Sequence, residues 1–344
     1  MWYTNIKVRV WRHVNIVLSV NTLKIFVVKK MLNKKGVITT EQIEENIKNS
    51  HARIVSFSRN NIGLIDITKE ISSGNITFVG DNIFLDSKTK MIYRFKSNIT
   101  SGGSYLGRKE IYESLISRMV AKFGKTIEYF PAEFNGERGV LCLDWSNLSN
   151  DYQVLSRQFN FYSLKDFEDV ENRKSKFSPQ AIKDIQKAPQ HFMVGNCDFL
   201  PRNIAFRYLK NKISDILYFD FGYSAFLKLE SNLVKANLDI NTNNIKRHYD
   251  YNIWAKRYNT LIGMGANKNL AEHYSFDSIE EDFKAYAQTN KEFRDNIKKS
   301  LLLTKSFPEE IKKMRAEGFK IYTDHENIIK QVTEMNAEMY ERCL

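Results

Sequence analysis

Two polar residues at the ends of neighbouring apolar runs have the chemistry to hold a metal ion. Asn203 begins the run NIAFRYL, and Asp220 ends the run DILYFD. The turn-prone letters KNKIS between them predict an antiparallel hairpin, in which the start of the first strand lies beside the end of the second. Mg²⁺ accepts a few protein oxygens and fills its other positions with water and phosphate. The spacing therefore predicts a magnesium site for a metal that arrives with a nucleotide.

A third polar residue, Asp198, lies on the loop GNCDFLPRNIAF that leads into this hairpin. It precedes Asn203 by five residues, and it is placed to act as a base or orienting group for an attacking hydroxyl. An aspartate, an asparagine five residues later and a downstream Asp-Phe-Gly form the arrangement of the protein-kinase fold. The segments DFLPRN and DFG match it. Each motif alone is weak, but their order, spacing and hairpin context together indicate a resemblance to this fold.

The region before residue 145 offers the remaining parts of such a site. Lys96 ends the apolar run MIYRFK and is the candidate lysine for nucleotide phosphates. Glu113, on the following helix, is its candidate partner, and Glu110 is the rival for that role. A solvated lysine and a surface glutamate are the plain alternatives for these positions, but the order of the two residues favours a functional pair.

A short loop ahead of Lys96 is a candidate phosphate-binding segment. The letters ISSGN stand between two predicted strands and include Ser72, Ser73 and Gly74. Backbone N–H groups and hydroxyls in such a loop can surround phosphate oxygens. The loop contains a single glycine, so it differs from a typical glycine-rich loop.

The residues before the candidate catalytic aspartate distinguish branches of the kinase-like superfamily. Eukaryotic-type protein kinases carry His-Arg there, aminoglycoside and choline kinases carry His-Gly, and this chain carries Asn196-Cys197. VGNCDFLPRNIAF resembles the Gly-Asn-x-Asp-x-x-x-x-Asn loop of the HipA-like serine/threonine kinases, which are bacterial toxin-type kinases of toxin-antitoxin systems. YESLISRMVAKFG resembles their Glu-Tyr-containing helix, and the likeness extends over about residues 60–225.

The resemblance implies a role for each matched position. Asp198 would be the catalytic aspartate, and Asn203 and Asp220 would hold Mg²⁺. The positions implied for ATP are Lys96 at the phosphates and, through backbone groups at the adenine, Leu141 and Leu143.

Two departures indicate a divergent member of this family. Leu200 stands where the family usually has a histidine, so a charge near the γ-phosphate is missing. Arg202 is the candidate replacement, and a salt-bridged loop arginine is the alternative. The chain also keeps a strict Asp-Phe-Gly, from which the family's metal motif usually departs.

The pattern of apolar residues predicts an α+β, protein-kinase-like, two-lobed fold. NIGLIDI, NITFVGDNIFLD and KMIYRFK predict an antiparallel meander, RKEIYESLISRMVAKFG predicts a helix, and RGVLCLDWS predicts another strand. Beyond residue 150 the pattern is mostly helical, apart from the hairpin. We expect an N-terminal extension with a short helix in residues 1–50, a β-rich lobe in residues 51–145 and a larger helical lobe in residues 146–344.

Capping patterns place several of the helices. They begin or end near Thr39–Gln42, Ser178–Pro179, Ser278–Glu281 and Pro308–Gly318. The last helix carries an apolar stripe that predicts core packing, formed by Ile328, Ile329, Val332, Met335 and Met339.

Composition and charge exclude several classes of protein. Three cysteines without CxxC spacing indicate neither a disulfide framework nor a zinc site, which fits a reducing, cytoplasmic compartment. The apolar run of residues 14–28 is shorter than a membrane span, and no small-residue cleavage site follows it. Either Met31 is the natural start, or residues 1–30 form an added strand or interfacial segment. The formal net charge of +12 favours anionic partners, and coding bias explains it equally well.

The leading expectation is an ATP- and Mg²⁺-dependent kinase that phosphorylates a hydroxyl of an unidentified protein. A small-molecule kinase is the second interpretation, and it would need an acidic pocket, for which SIEEDF at residues 278–283 is the candidate. A third is a basic binding module or pseudokinase. No direct nucleic-acid motif is present, although the family resemblance allows a regulatory or DNA-binding partner protein.

Overall fold

A computed structural model of the chain shows an α+β protein. It describes residues 40–60, 63–99, 103, 107–144, 152–154, 178–185, 187–197, 203–209, 212–222, 224–249, 284, 287–289 and 291–344. Asp198, Leu200, Arg202 and the predicted cap at Ser278–Glu281 lie outside these residues, as does the expected lobe boundary near residue 145.

The chain divides into two compact units, Met1–Asn49 and Ser50–Leu344. Of the first unit, the structure describes residues from Thr40, where helix α1 (Thr40–Asn60) begins. This helix has 21 residues and is longer than the short helix that the capping pattern predicted. The second unit contains the strands and helices described below.

The larger sheet has six strands in the order β1-β6-β7-β4-β3-β2. The elements of this half of the unit are β1 (Ile65–Asp66), α2 (Ile67–Ser72), β2 (Ile76–Gly80), β3 (Ile83–Asp86), β4 (Ile92–Ser97), α3 (Lys109–Val120), β5 (Lys125–Thr126), β6 (Tyr129–Phe134) and β7 (Glu137–Leu143). Strands β2, β3 and β4 pair antiparallel, which confirms that part of the predicted meander. Strand β7 lies between β4 and β6, antiparallel to both.

The segment NIGLIDI was predicted to be an antiparallel strand, and this prediction is wrong. Of its described residues, Ile65 and Asp66 form a strand, and they pair parallel with β6. The chain then turns into α2, because the Asp66 carboxylate accepts a hydrogen bond from the Lys69 N–H (3.0 Å) and caps the helix. Ser72 ends this helix, and Ser73 and Gly74 form its exit turn, so they do not connect two strands.

Aromatic side chains show how strongly the larger sheet is curved. The ring of Phe134 on β6 lies 5.0 Å from that of Phe84 on β3 and 5.5 Å from that of Phe78 on β2. Strands β2 and β6 are separated by three other strands in the sheet. The sheet is therefore curled so that its distant strands approach one another over this aromatic cluster.

Helix α3 follows β4 and packs on β6 and β7. The apolar residues that the sequence placed on its inner face are buried, namely Ile111, Leu115, Met119 and Val120. Two serines fix it further: Ser114 Oγ donates to the Tyr129 carbonyl (3.3 Å), and Ser117 Oγ donates to the Ile127 carbonyl (2.6 Å). The helix prediction is confirmed.

A second sheet has the strand order β5-β10-β9-β8, with β8 (Tyr152–Val154), β9 (Ile204–Leu209) and β10 (Lys212–Tyr218). Strands β9 and β10 form an antiparallel hairpin in which Tyr218 pairs with Ile204, as predicted. Strand β5 comes directly after α3, yet it pairs parallel with the end of β10. This pairing joins the chain after α3 to the strand that leads into Asp220.

The rest of the second unit is mainly helical. Its helices are α4 (Pro179–Ile185), α5 (Ala188–Met193), α6 (Ala225–Lys235), α7 (Thr242–His248), α8 (Lys291–Leu303), α9 (Phe307–Ala316) and α10 (Thr323–Arg342), with a 3₁₀ turn at Thr304–Ser306. The Ala181 N–H donates to Ser178 Oγ (3.1 Å), so the predicted cap is present. The apolar stripe of α10 is buried, which confirms its predicted core role.

Three antiparallel strands, a helix and two further strands, followed by a mainly helical half, form the predicted α+β, protein-kinase-like, two-lobed fold. We call strands β2, β3, β4, β6 and β7 together with α3 the smaller lobe, and the elements from β8 onwards the larger lobe. None of the described helices combines the length and apolar character needed to cross a bilayer.

Candidate functional site

Lys96 lies near the end of β4, where β7 approaches closely. It pairs with Val140, and the next pair joins Ser97 to Gly139. A Cβ atom on Gly139 would lie 2.1 Å from the Lys96 carbonyl oxygen, so any other residue would force the strands apart. The backbone of Lys96 is therefore held within the sheet, and its side chain is directed towards α3.

Glu113 on α3 is the helix partner of Lys96. Its side chain is fully buried, and its Oε2 lies 3.2 Å from Lys96 Nζ. The rival Glu110 is also buried but accepts a hydrogen bond from Asn98 Nδ2 (2.7 Å) and lies near Arg108 and Arg138. Of the two glutamates, the structure brings Glu113 to Lys96.

Asp220 reaches the same lysine from the larger lobe. Its Oδ1 lies 2.6 Å from Lys96 Nζ, although the two residues are 124 positions apart. Asn203 stands on the adjacent strand end, because its carbonyl accepts the Phe219 N–H (3.1 Å). The structure therefore places Asn203 beside Phe219 and Asp220, and it gathers Lys96, Glu113 and Asp220 at one point.

Asp220 has an unusual backbone conformation at this point. Its φ of +59° lies in the left-handed region, which costs a residue with a side chain about 1–2 kcal/mol. Such strain persists where the surrounding structure holds the residue in place, and it is frequent at functional sites. The Asp220 side chain is 46% exposed, so its carboxylate is open to a ligand from solution.

Tyr129, at the start of β6, completes this group of residues, which we call the Lys96 cluster: Lys96, Glu113, Tyr129 and Asp220. Its hydroxyl accepts a hydrogen bond from the Asp220 N–H (2.9 Å). Lys96 Nζ lies 5.5 Å from the centre of its ring. No local sequence pattern indicates Tyr129 as a site residue, because its partner Asp220 lies 91 positions later.

Burial and opposite charge set the ionisation of the Lys96 cluster. Burial disfavours a charged lysine, but the negative charges of Glu113 and Asp220 favour it, and the pKa of Lys96 lies well above its usual value. Complete burial raises the pKa of Glu113, although Lys96 opposes the effect. Burial also raises the pKa of Tyr129 well above its usual value, so its phenol is neutral. Lys96 therefore stays positively charged and faces two carboxyl groups.

The turn between β2 and β3 lies at the same end of the sheet as Lys96. Gly80, Asp81 and Asn82 have positive φ values of 116°, 53° and 59°, and the Asn82 carbonyl accepts the Phe95 N–H (2.8 Å). The predicted phosphate loop, residues 72–74, precedes β2 and lies at its opposite end, where Ile76 pairs with Asp86. The structure therefore does not bring Ser72, Ser73 and Gly74 to Lys96. In the sequence, the letters GDN at residues 80–82 are typical of a turn, and they could have indicated this loop between β2 and β3.

Leu141 and Leu143 lie on β7, inside the sheet. Leu141 pairs with Phe95 on one side and Phe130 on the other. The Leu143 N–H donates to the Glu128 carbonyl (3.3 Å). This backbone donor is already used in the bond to Glu128, which lies just before β6, so the structure does not present it to an adenine base.

The loop that carries Asp198 is described up to Cys197. Gly195 has φ +76°, and a Cβ there would lie 2.7 Å from the ring of Phe226. Asn196 Nδ2 donates to Nδ1 of the buried His191 (2.9 Å). These contacts fix the entry of the loop. Asp198, Leu200 and Arg202 follow it and remain sequence predictions.

The described residues fit a magnesium ion at Asp220. The adjacent strand ends carry the carboxylate of Asp220 and the amide of Asn203, and carboxylate and amide oxygens are ligands of the kind Mg²⁺ prefers. A Cβ on Gly222 would lie 3.2 Å from Glu113 Oε1 and 3.3 Å from Asp220 Oδ1, so the absence of a side chain keeps space beside both carboxylates. Within the described ranges, no group of three or more His, Cys, Asp or Glu residues forms a metal cage. Asp220 and Asn203 would thus hold an ion that also has ligands from elsewhere.

Comparisons with known proteins give likenesses of fold. No protein-family model and no curated protein matches the chain. Among solved structures, the chain is similar to the Helicobacter pylori proinflammatory kinase CtkA, with 12% identity and a TM-score of 0.45 over 77% of this chain and 93% of that one.

It is also similar to HipA of Shewanella oneidensis, solved with HipB and operator DNA, with 12% identity and a TM-score of 0.38 over 78% of this chain and 62% of that one. A third likeness is the ATP-bound aerobactin synthetase IucA of Klebsiella pneumoniae, with 12% identity and a TM-score of 0.27 over 68% and 50% of the two chains.

Proposed function

We propose that this chain is an ATP- and Mg²⁺-dependent phosphotransferase, a divergent HipA-like kinase that transfers the γ-phosphate of ATP to a protein hydroxyl. One observation carries the proposal. Lys96 Nζ lies 3.2 Å from Glu113 Oε2 and 2.6 Å from Asp220 Oδ1, so a strand, a helix and the Asp-Phe-Gly segment meet at one ammonium group. This is the order of parts that phosphoryl transfer from a nucleotide uses in the protein-kinase fold.

Each residue of the site has a distinct task in this proposal. Glu113 holds the Lys96 ammonium in place, and the ammonium binds the nucleotide phosphates. Asp220 and Asn203 are the proposed ligands of Mg²⁺, which supplies positive charge to the phosphate oxygens when bound. Asp198 is the proposed acceptor for the hydroxyl proton of the substrate. Arg202 is the proposed positive charge in place of the histidine missing at Leu200.

The choice of a protein substrate rests on the motif resemblance. Asn196-Cys197 before Asp198 lacks the His-Gly of aminoglycoside and choline kinases. The same resemblance allows a DNA-binding partner protein. The formal net charge of +12 on this chain favours a partner with an acidic contact surface. These partners, a cytoplasmic location and the serine/threonine specificity belong to the proposal.

Intact mass after incubation with Mg-ATP tests the function. The purified protein is expected to gain phosphate, because a kinase without its substrate often modifies its own hydroxyls. Asp198→Ala and Asp220→Asn are expected to gain none. Asp239→Asn is the matched control, since Asp239 is an exposed aspartate of the larger lobe, and it is expected to behave like the wild type.

Other outcomes would redirect or overturn the proposal. Consumption of ATP on an added aminoglycoside or amino alcohol, with no phosphate on the protein, would identify a small-molecule kinase instead. A wild type that neither binds ATP nor gains phosphate would show that the chain is not a kinase.

A further inference from the structure

The phenol of Tyr129 touches both lobes at the Lys96 cluster. Tyr129 is the first residue of β6, pairs with Cys142 on β7 and is only 4% exposed. Its side chain leaves the smaller lobe and meets two consecutive residues of the larger lobe, Asp220 and Phe221. The ring centres of Tyr129 and Phe221 lie 5.4 Å apart.

The hydroxyl of Tyr129 accepts a backbone hydrogen bond just beyond the point where the pairing of β10 with β9 ends. The last ladder pair joins Tyr218 to Ile204, and the Phe219 N–H still finds the Asn203 carbonyl (3.1 Å). The next N–H, that of Asp220, donates to Tyr129 Oη (2.9 Å). This bond holds the peptide at the residue whose φ of +59° requires outside support.

The same ring also bears on Lys96. The ammonium lies 5.5 Å from the ring centre, within the range of a cation–π contact. Lys96 in turn lies 2.6 Å from Asp220 Oδ1. Tyr129 therefore touches the Asp220 backbone and the Lys96 ammonium, the two groups whose separation sets the room for a bound phosphate and its cation.

We infer that Tyr129 is a positioning residue, which orients the Asp220 carboxylate for a divalent cation bound with a nucleotide. The inference rests on the proposed function for its ligand. The claim that the Tyr129 hydroxyl holds the Asp220 peptide does not depend on that function, because it rests on the observed hydrogen bond. Loss of the hydroxyl is expected to free the Asp220 peptide while the ring keeps its contacts with Phe221 and Lys96.

Tyr129→Phe tests this directly, because it removes one oxygen and keeps the ring. Tyr340→Phe is the matched control: Tyr340 is fully buried, and its hydroxyl donates to the Pro189 carbonyl (2.9 Å), away from the Lys96 cluster. Both variants lose one hydrogen bond made by the hydroxyl of a buried tyrosine. A general loss of stability would therefore appear in both.

Two measurements on the full chain give the outcome. Amide hydrogen exchange in the segment that contains Asp220, without nucleotide, is expected to be faster in Tyr129→Phe than in the wild type and Tyr340→Phe. ATP affinity measured across a Mg²⁺ titration is expected to fall by about three- to tenfold at saturating Mg²⁺ in Tyr129→Phe, the range of one hydrogen bond. Affinity without Mg²⁺ is expected to be unchanged.

Wild-type exchange at Asp220 in Tyr129→Phe, or a wild-type response to Mg²⁺, would overturn the inference. An equal loss of Mg²⁺-dependent affinity in Tyr340→Phe would also overturn it, because the effect would then be one of stability. If the wild type itself bound no nucleotide, the proposed function would fail, and with it the cation-orienting role of Tyr129. The exchange measurement would still decide whether Tyr129 holds the Asp220 peptide.

Discussion

Two buried glutamates lie one turn apart on α3, and their surroundings differ. Glu113 belongs to the Lys96 cluster, where one ammonium faces two carboxyl groups and one of these, that of Asp220, is 46% exposed. Glu110 lies 3.5 Å from Arg108 and 3.7 Å from Arg138, and it accepts a hydrogen bond from Asn98. We call these four residues the Glu110 cluster.

The difference between the clusters concerns the balance of charge. In the Glu110 cluster, two guanidinium groups face one carboxylate, and the Arg108 N–H also donates to Glu230 on α6 (2.8 Å). The Lys96 cluster has an excess of carboxylate and an open side, which suits a divalent cation. Both glutamates are buried, so burial on α3 does not separate them. What separates them is the exposed carboxylate of Asp220 beside the lysine that it shares with Glu113, and the proposed function rests on this difference.

The largest expected effect comes from removing the lysine that the two carboxylates share. Lys96→Met is expected to lower the rate of phosphate gain by about 10²–10³-fold, the usual result of losing a preorganised positive group. It also leaves Glu113 buried without its cation, which costs about 3–5 kcal/mol in the free energy of unfolding. Intact mass and urea unfolding measure the two effects.

A second substitution separates these two effects of Lys96→Met. Lys96→Met/Glu113→Leu is expected to recover most of the stability but none of the activity. Wild-type phosphate gain in Lys96→Met would contradict the role of the lysine.

The next largest effect is a loss of ATP affinity that we expect for a substitution of Glu113 but not for one of Glu110. Glu113→Gln weakens the contact that holds Lys96, so we expect ATP affinity in Mg²⁺ to fall by about tenfold, as for a hydrogen bond to a charged group. Glu110→Gln is the matched control on the same helix, and its affinity is expected to stay within about twofold of the wild type. Calorimetric titration measures both. Equal losses in the two variants would remove the distinction between the clusters.

A smaller effect is expected from filling the space beside the carboxylates. A Cβ in Gly222→Ala would lie 3.2 Å from Glu113 Oε1, so the neighbouring atoms must shift by a few tenths of an ångström. Misplacement of site atoms by about 1 Å costs about 100-fold. For a shift of a few tenths of an ångström, we therefore expect about a threefold loss of ATP affinity in the presence of Mg²⁺. Gly136→Asn is the control, because a Cβ on Gly136 would meet no atom of the described residues within 4 Å and asparagine tolerates its φ of +80°. Tighter Mg²⁺-dependent binding in Gly222→Ala would contradict the assignment.

The last prediction concerns stability as a function of pH and the surroundings of the Glu110 cluster. Burial, together with Arg108 and Arg138, lowers the pKa of His325 to about 4. The unfolded chain takes up a proton near pH 6.5 and the folded chain does not, so stability falls as the pH falls through this window. Glu230 Oε1, 3.8 Å from His325 Nε2, opposes the effect. We expect a loss of about 1–2 kcal/mol between about pH 7 and pH 5 from His325.

His325→Gln sharpens this prediction. At the start of α10, the Tyr322 N–H donates a hydrogen bond to His325 Nδ1 (3.1 Å). The side-chain oxygen of glutamine can accept the same bond, so the substitution keeps the helix cap. Urea unfolding across the pH range is expected to show a smaller fall in this variant than in the wild type. His248→Gln, a partly exposed histidine on α7, is the control. An unchanged pH dependence in His325→Gln would refute the lowered pKa.

Local patterns in the sequence were enough to predict the parts of the fold that depend on neighbouring residues. The hairpin of β9 and β10 follows from two apolar runs and a turn, and α3 follows from an apolar stripe at helical spacing. The missed helix α2 had a signal as well, because Asp66 stands at its N-cap ahead of Ile67 and Ile71.

Contacts between distant segments could not be predicted in this way. The parallel pairing of β5 with β10 joins residues about 90 positions apart, and its two-residue strand has no apolar pattern. Tyr129 looks like an ordinary strand tyrosine in the sequence, and only the packing of β6 against the Asp-Phe-Gly segment brings its hydroxyl to Asp220. The position of the turn at Gly80–Asn82 likewise depends on how β3 lies against β4.

The most direct test of the account asks whether a nucleotide places its phosphates at Lys96. An acyl-phosphate derivative of ATP transfers its acyl group to a lysine next to the phosphates, and peptide mass spectrometry identifies that lysine. We expect acylation of Lys96 that excess Mg-ATP blocks, and no such labelling of Lys109, whose Nζ donates to the Ser97 carbonyl (2.6 Å). Labelling elsewhere in the chain, or labelling of Lys96 that Mg-ATP does not block, would contradict it.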